Sequence, residues 1–209
     1  MEKTHTHIEQ VLSRKKKGEL IFLTDFRGTG TEDAIKKTLS RLTLAGKVKR
    51  LAYGIYYIPK TDPILGELRP SAEDVVKMVA KKEKIRVRPS GAYAIHRLGL
   101  TSQVPTKLVY ITDGAARQFK LGKLQIKFKP TTPKKLSTIG EISSLLIQAL
   151  EEIGTEKIDE VTEMKIFELL KKEDLKNLKH DLTLAPAKVH DYIIKLLKRD
   201  ENDRVAKIK

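Results

Sequence analysis

The stretch from Gly18 to Pro59 constrains the fold of this chain more than any other part of the sequence. It combines a glycine-containing turn, a helix and two short β-prone runs. It follows a first helix whose apolar residues Ile8, Val11 and Leu12 share one face. The order of helix, turn, helix and two-stranded ribbon is that of a winged helix-turn-helix. We therefore predict this motif for the N-terminal third of the chain.

The helix predicted from Thr31 to Ala45 has one apolar stripe and one stripe of hydrogen-bond donors. At 100° per residue, Thr31, Leu39 and Leu42 lie within about 40° of Ile35. The opposite half carries Lys36, Lys37, Ser40 and Arg41. Lysine and arginine can contact phosphates or guanine, and serine and threonine can bond to backbone or base. An ordinary amphipathic surface helix would show the same pattern, so the helix alone leaves both interpretations open.

A hairpin directly after this helix favours DNA binding. Val48 to Leu51 and Ile55 to Ile58 are β-prone, and Gly54 between them can supply the positive φ of a tight turn. Basic residues of the hairpin then lie near the backbone of any duplex that the helix enters. The residues predicted to contact double-stranded DNA are Thr29, Thr31, Lys36, Lys37, Ser40 and Arg41 from the turn and helix, and Lys49, Arg50 and Tyr53 from the hairpin.

The positive charge of the chain is concentrated in its first two segments. The whole sequence has 42 Lys+Arg and 27 Asp+Glu, a formal net charge of +15. Residues 1–60 hold 13 basic and 6 acidic side chains and residues 61–136 hold 16 and 6, whereas residues 137–209 hold 13 and 15. Such a positive field attracts phosphate backbones or an acidic protein surface, without choosing between them.

Composition excludes several classes of protein. The chain has no cysteine, which rules out disulfides and thiolate metal sites. No apolar run approaches the ~20 residues of a membrane span, and the first residues lack the apolar core of a signal peptide. We therefore expect a cytoplasmic protein that has no contact with membranes.

The middle of the chain predicts a small mixed α/β domain. Prolines and the lack of periodicity predict a linker from Thr61 to Pro70, and Ser71 with Asp74 resembles a capping box for the next helix. Residues 124–128 alternate apolar and polar side chains, as a half-buried strand does. Short strands and helices are predicted to alternate between this capping box and this strand.

The last third of the chain predicts helices. A second capping box, formed by Thr138 and Glu141, is predicted to open a strongly apolar helix. Further helices are predicted from about Val161 to Lys172 and after Pro186. The predicted fold class is therefore α/β (α+β). We predict three segments: a winged helix-turn-helix over residues 1–62, a mixed α/β domain over residues 66–136, and helices over residues 137–209 that pack on or beside that domain.

The sequence contains no residue set that predicts catalysis or metal binding. His5 and His7 have no further ligand nearby, and the glycine turn lacks the lysine and hydroxyl residue that end a phosphate-binding loop. Asp113 follows a predicted strand without a second carboxylate, and an Asx-turn is its simpler interpretation. We therefore expect no enzymatic activity, no metal and no cofactor. Instead, we predict a cationic partner-binding face made of Arg86, Arg88, Arg97 and Lys127.

Two parts of the sequence resemble AbiEi-type antitoxins of type IV toxin–antitoxin systems. The first combines an Asp-Phe turn, the glycine bend, the segment IKKTLSRL and the segment GIYYIP. The second and more specific one is GAYAIHRLGLTSQVPTKLVYITDG at residues 91–114, which is similar to the core of the second domain of that family. The resemblance covers residues 18–136.

The resemblance implies two activities within abortive infection, a form of phage defence. One is transcriptional repression of the chain's own operon, through binding of the winged helix to the operator. The other is protection against a nucleotidyltransferase-like toxin. A monomer or weak dimer is expected on DNA. The alternative is a ligand-responsive winged-helix regulator without a toxin partner, in which residues 70–136 sense a small anion. A third class, an enzyme that captures its substrate with a winged helix, lacks a catalytic residue set.

Overall fold

The computed structural model describes the backbone of residues 2–206 and the side chains of residues 4–199. The chain divides into two compact units, one formed by Met1–Glu83 with Phe119–Leu124 and the other by Lys84–Gln118 with Gln125–Lys209. Helices and strands make up a mixed α+β fold, so the predicted fold class is confirmed. The division into three segments stays a prediction, because a compact unit need not be an independently folding domain.

The first unit contains short strands between three longer helical segments. Its helices are α1 (Glu2–Ser13), α2 (Glu32–Leu44) and α3 (Ala72–Glu83), and one turn of 3₁₀-helix covers Leu23–Phe26. Its strands are β1 (Leu20–Phe22), β2 (Lys49–Ala52), β3 (Ile55–Tyr57), β4 (Lys60–Asp62) and β5 (Gly66–Leu68).

In chain order, α1, β1, the 3₁₀ turn, α2, β2 and β3 follow one another as helices and then strands, which is the order expected of the predicted winged helix-turn-helix. β3 is the central strand of a three-stranded sheet of order β1-β3-β2, and both neighbours are antiparallel to it. The sequence predicts only the β2–β3 ribbon, whereas the structure adds β1, in which Ile21 pairs with Tyr56. The apolar core of the motif includes the buried residues Ile8, Phe26, Ile35, Leu39 and Val48.

The segment from Thr61 to Pro70, predicted to be a linker, contains a β-hairpin formed by β4 and β5. Asp62 stabilises the turn of this hairpin because its carboxylate accepts hydrogen bonds from the backbone N–H groups of Ile64 and Leu65, both at 2.9 Å. The linker prediction is wrong since strands of three residues are too short to show a period in the sequence.

The second unit combines a sheet with the remaining helices. Its strands are β6 (Val87–Ser90), β7 (Lys107–Thr112), β8 (Arg117–Leu121, which continues into the first unit) and β9 (Leu124–Pro130). Its helices are α4 (Ala92–Arg97), α5 (Pro133–Leu136), α6 (Glu141–Ile153), α7 (Glu160–Leu170), α8 (Leu175–Leu184) and α9 (Ala187–Ala206). The sheet has the order β6-β7-β9-β8, with β6 antiparallel and β9 parallel to β7.

α6 is the central helix of the second unit. It packs against α4 and β6 and also against α7, α8 and α9. The core around it contains the fully buried residues Leu146, Leu150, Ile166, Leu170 and Ile193. The C-terminal helices therefore share one compact unit with the sheet. α8, which begins at the N-cap residue Asp174, was not predicted from the sequence.

Distant carboxylates cap the N-terminus of α6. The predicted capping box of Thr138 and Glu141 is wrong, because the helix begins at Glu141 and its N-cap is Gly140, which has no side chain. Glu173 and Asp181 take over this role. Their carboxylates accept hydrogen bonds of 2.8–3.0 Å from the backbone N–H groups of Ile139, Gly140, Ile142 and Ser143.

Candidate nucleic-acid interface

Two threonines predicted to contact DNA fix the start of α2. Thr31 is the N-cap residue, and its hydroxyl accepts a hydrogen bond from the backbone N–H of Ala34 at 3.3 Å. The Thr29 hydroxyl donates to the carbonyl of Phe26 at 2.8 Å, and the Thr29 carbonyl accepts from the Thr4 hydroxyl at 2.9 Å. Both threonines therefore position the helix, and any contact with DNA would be made beside these bonds.

The exposed face of α2 carries polar side chains without a partner among the side chains that the structure describes. Ile35 and Leu39 are buried as predicted, and the side chains of Lys37, Ser40 and Arg41 are exposed. Among the side chains described, residues 4–199, none makes an ion pair or hydrogen bond to these three. They lie within about one turn of each other on the helix. The face thus presents two cations and a hydroxyl to solvent, which are donors suited to phosphate or base edges.

Lys36 lies at the edge of this face and forms an ion pair. Its Nζ is 2.6 Å from Oε1 of Glu32, one turn earlier. The hydrogen bond to Glu32 raises the pKa of Lys36, and the same bond lowers the pKa of Glu32. Tyr53 also raises the pKa of Lys36, which places this lysine beside the β2–β3 hairpin. Lys36 therefore stays protonated, and a phosphate would compete with Glu32 for it.

The tip of the β2–β3 hairpin, the wing, presents an arginine and a tyrosine together. The Arg50 guanidinium lies 5.7 Å from the centroid of the Tyr53 ring, a cation–π distance. Arg50 Nε also donates a hydrogen bond of 3.4 Å to the carbonyl of Ala52. Tyr53 is 73% exposed, and Gly54 completes the turn with a φ of 71°. The ring and the backbone hold Arg50 at the wing while its side chain remains exposed.

Basic residues at the base of the wing are neutralised within the unit. Lys49 forms an ion pair with Glu67, and the hydroxyl of Tyr57 donates to the same carboxylate. Burial, together with Glu67, raises the pKa of Tyr57 to about 12. Lys47 Nζ is 2.6 Å from Glu9 Oε1. DNA contact at Lys49 stays a prediction, and it would have to displace an internal pair.

The predicted partner-binding residues of the second unit occupy different environments. Arg86 is exposed, and its Nε is 2.8 Å from Oδ2 of Asp113. Hydrogen bonds from Arg86 lower the pKa of Asp113, so this carboxylate is an ionised structural partner of the start of β6. Arg97 is exposed at the end of α4, and Lys127 is half-buried on β9.

Arg88 contacts the segment that precedes α6. Its guanidinium donates to the carbonyl of Thr138 and, at 3.2 Å, to the hydroxyl of Ser144. Burial lowers the pKa of Arg88, and the charge of Asp181 opposes this effect. The register of β6, β7 and β9 places Arg88 and Lys127 on the same face of the sheet. Arg88 is nevertheless half-buried by these contacts, whereas a partner-binding role requires an accessible side chain.

Comparison with known protein families identifies the chain at the family level. Residues 7–178 match the sequence profile of a family of unknown function, DUF6088. The chain belongs to the DUF6088 family. The matched residues include α2, the wing, the four-stranded sheet and the central helix α6. None of the curated proteins matches the sequence significantly.

The exposed face of α2 in this DUF6088 chain includes one residue that the sequence prediction missed. Leu44 is 87% exposed. At 100° per residue it lies about 180° from Ile35, between Lys37 and Ser40 around the helix. The same periodicity that located the lysines could therefore have located Leu44. Apolar side chains on such a face can contact the methyl group of thymine.

The part of this DUF6088 protein that the structure describes lacks two further features. None of its helices is both long and apolar enough to cross a membrane. No group of three or more histidine, aspartate or glutamate side chains in the same residues is arranged to hold a metal ion. His5 lies 3.5 Å from the carboxylate of Glu9 instead.

Proposed function

We propose that the protein is a DNA-binding antitoxin and the transcriptional autorepressor of a type IV toxin–antitoxin operon. One observation carries the DNA-binding part: the donors Lys37, Ser40 and Arg41 face solvent on α2, beside a wing that presents Arg50 and Tyr53. Its partners would be double-stranded DNA of its own operator and a nucleotidyltransferase-like toxin. The proposal requires no cofactor and no catalytic activity.

Charge pairing within the first unit supports DNA binding over general solubility. Lys36, Lys47 and Lys49 have carboxylate partners within the chain, and these partners lie away from the exposed face of α2 or at its edge. Lys37 and Arg41 have none among the described side chains. A face whose cations are left without partners, next to a wing, fits the phosphate backbone of a duplex.

The antitoxin part of the proposal rests on the resemblance at residues 91–114. In the structure this segment forms α4, a loop and β7. Val104, in the Gln-Val-Pro turn of the loop, is 71% exposed, so the loop offers an apolar contact point. Gly114, at the other end, packs against Ile85, and an added Cβ would lie 2.9 Å from it. The loop that contains Val104, rather than the turn at Gly114, is therefore the accessible part of residues 91–114.

A ligand-responsive regulator without a toxin is the second candidate function. A cavity of the second unit that is lined by Lys134 and Lys135 favours it, because positive charge attracts a small anion. A gene for a nucleotidyltransferase-like protein next to this one would support the antitoxin, and a lone gene beside a metabolic operon would support the regulator.

Affinity of the full-length chain for its own upstream DNA should fall steeply with salt. If ~6 phosphates are engaged, the slope of log affinity against log salt should be about −5, because bound counterions are released from the duplex. Fluorescence anisotropy with a labelled duplex between low and physiological salt measures this slope. A salt-independent affinity, or no binding at any salt, would contradict the DNA-binding proposal.

Reversal of charge at exposed arginines of the second unit should reduce protection against the toxin. The expected result for Arg86→Glu with Arg97→Glu is lower survival of cells that express the cognate toxin, with unchanged affinity for the operator. Arg88 is left intact, because its reversal would disrupt the contacts before α6. Survival of cells that co-express each variant with the toxin measures the effect.

The matched control for this experiment reverses Lys195 and Lys198 on α9, which are also exposed cations of the second unit. Survival as high as with the unmodified chain for both double variants would show that Arg86 and Arg97 only solvate the surface. Loss of protection in both would indicate a nonspecific effect of charge.

A further inference from the structure

A surface cavity of the first unit lies between the turn before β1, the β4–β5 hairpin and α3. Its volume is 360 Å³, and Leu20, Leu68 and Met78 contribute apolar surface to it. Sites for small molecules are usually concave, ~300–1,000 Å³ in volume and mostly apolar, with a few polar groups that fix the ligand. The volume and the apolar surface of this cavity suit a ligand of the size of a nucleoside monophosphate.

Two lysines of the cavity come together at Gly18. Backbone hydrogen bonds of 2.8 Å from Gly18 to Ile58, and of 3.0 Å from Ile58 to Glu19, attach the turn before β1 to the end of β3. Gly18 has a φ of 84°, and a Cβ added to it would lie 3.6 Å from Cδ of Lys60. The side chain of Lys60 therefore lies over Gly18, whose neighbour along the chain is Lys17. Both lysines are exposed, and both line the cavity.

The carboxylates that line the cavity have other partners. Oε1 of Glu19 is 2.6 Å from Nζ of Lys15. Oδ2 of Asp74 accepts a hydrogen bond of 2.7 Å from the hydroxyl of Ser71, within the capping box of α3. The two lysines of the cavity, in contrast, form no ion pair with any side chain that the structure describes, residues 4–199. Their positive charge is therefore available to a ligand.

Arg69 adds a third cation, and its internal pairing is weak. The register of the β4–β5 hairpin pairs Lys60 with Leu68, so Arg69 directly follows the partner of this lysine. Nε of Arg69 is 3.9 Å from a carboxylate oxygen of Glu67, which Lys49 already binds more closely. The side chain of Arg69 is 74% exposed. Three cations thus line one cavity whose carboxylates are occupied, and lysine and arginine are the usual protein ligands of phosphate groups.

We propose that this cavity binds a nucleoside monophosphate. Lys17, Lys60 and Arg69 bind the phosphoryl oxygens, and the base lies against Leu68 and Met78. A phosphate monoester carries about 1.5 to 2 negative charges at neutral pH, which balances most of the charge of the three cations. The lining residues lie outside the exposed face of α2, so this site depends neither on DNA binding nor on a toxin.

The experiment titrates the full-length chain with AMP and, separately, with UMP, adenosine and inorganic phosphate, at an ionic strength held constant with sodium chloride. Calorimetry measures the Kd, and backbone amide shifts of Lys17, Lys60 and Met78 locate the site. We expect saturable binding of AMP or UMP. The Kd for adenosine and for inorganic phosphate should each be at least about tenfold higher, because adenosine lacks the charged group and phosphate lacks the apolar contact.

Variants of the two lysines test the site itself. Lys17→Gln and Lys60→Gln should each raise the Kd for the nucleotide at least about tenfold, because each removes a bond to a charged group. Both variants should keep the unfolding temperature of the unmodified chain, since neither lysine has an internal ion pair to lose. The matched control is Lys37→Gln, which removes an exposed cation from α2 and should leave the Kd unchanged.

Three results would overturn the proposal. The first is no saturable binding of either nucleotide. The second is a Kd within about twofold of the unmodified chain in both lysine variants, or an equal rise in the Lys37→Gln control. The third is binding of inorganic phosphate as tight as that of the nucleotides, because the cavity would then attract anions without recognising a nucleoside.

Discussion

Replacing Asp181 with alanine is expected to lower the free energy of unfolding by about 3–5 kcal/mol. The carboxylate is 0% exposed and accepts hydrogen bonds from the backbone of Ile139 and Gly140 and from the hydroxyl of Ser143. Without it these donors would be unpaired, and each unpaired buried donor costs about 1–3 kcal/mol. Arg88 would also lose its favourable interaction with the negative charge of Asp181. Urea unfolding of the full-length chain measures the loss.

The matched control for this substitution is Asp191→Ala. Asp191 lies 3.0 Å from the ring of its neighbour His190, just as Asp181 lies 2.9 Å from the ring of His180. The side chain of Asp191, however, is 77% exposed. Its replacement should change the free energy of unfolding by less than about 0.5 kcal/mol. Similar losses in both variants would contradict the argument from burial.

The contribution of Asp181 should also depend on pH. Burial acts to raise the pKa of this carboxyl, but hydrogen bonds from Ser143, His180 and two backbone N–H groups outweigh burial, and the pKa is lowered from its ordinary value of 3.8. A group with a lowered pKa in the folded state stabilises the fold fully above its unfolded-state pKa and loses this effect as the pH falls through its folded-state pKa. The difference in unfolding free energy between the chain and Asp181→Asn should therefore be constant near neutral pH and shrink below pH 3.8.

Local signals were enough to predict the parts of the fold that depend on neighbouring residues. The capping box before α3 is present, since the hydroxyl of Ser71 accepts from the backbone N–H of Asp74 at 3.1 Å and the carboxylate accepts in return. α2 also follows the predicted period, with Ile35 and Leu42 buried. Gly54 has the positive φ expected at the wing. In each case the cause lies within four residues of the effect.

Contacts between distant residues account for what the sequence did not predict. β1 has three residues and becomes a strand only by pairing with β3, more than thirty positions later along the chain. The cap of α6 comes from Glu173 and Asp181, which follow the capped groups by 30 residues or more. A capping-box pattern at Thr138 could not reveal this, because the pattern tests only residues three apart.

The candidate DNA-binding residues show the same limit. The exposure of Lys37, Ser40 and Arg41 followed from helical periodicity. The pair of Lys36 with Glu32 was also accessible to sequence reasoning, because residues four apart on a helix are neighbours. The pair of Lys49 with Glu67 was not, since it depends on the β4–β5 hairpin.

Replacing Arg41 with alanine is expected to weaken binding to the operator by about 1–3 kcal/mol and to relax specificity at one base pair. Arg41 is an exposed cation on α2 with no internal partner among the described side chains, so its guanidinium is available for bidentate contact with guanine. Arg50, in contrast, is held at the wing over the ring of Tyr53. Arg50→Ala should weaken binding to all sequences alike and reduce the salt slope by about one unit.

The difference between these two variants is the decisive measurement. Binding of each variant to a library of operators with single base-pair changes gives a specificity profile as well as an affinity. Lys77→Ala, which removes an exposed cation from α3, is the control and should change neither. If the profile of Arg41→Ala is identical to that of the unmodified chain, while its affinity falls, then Arg41 contacts only phosphate. If Arg50→Ala alters the profile instead, the wing rather than α2 reads the bases, and the roles assigned to the two elements are reversed.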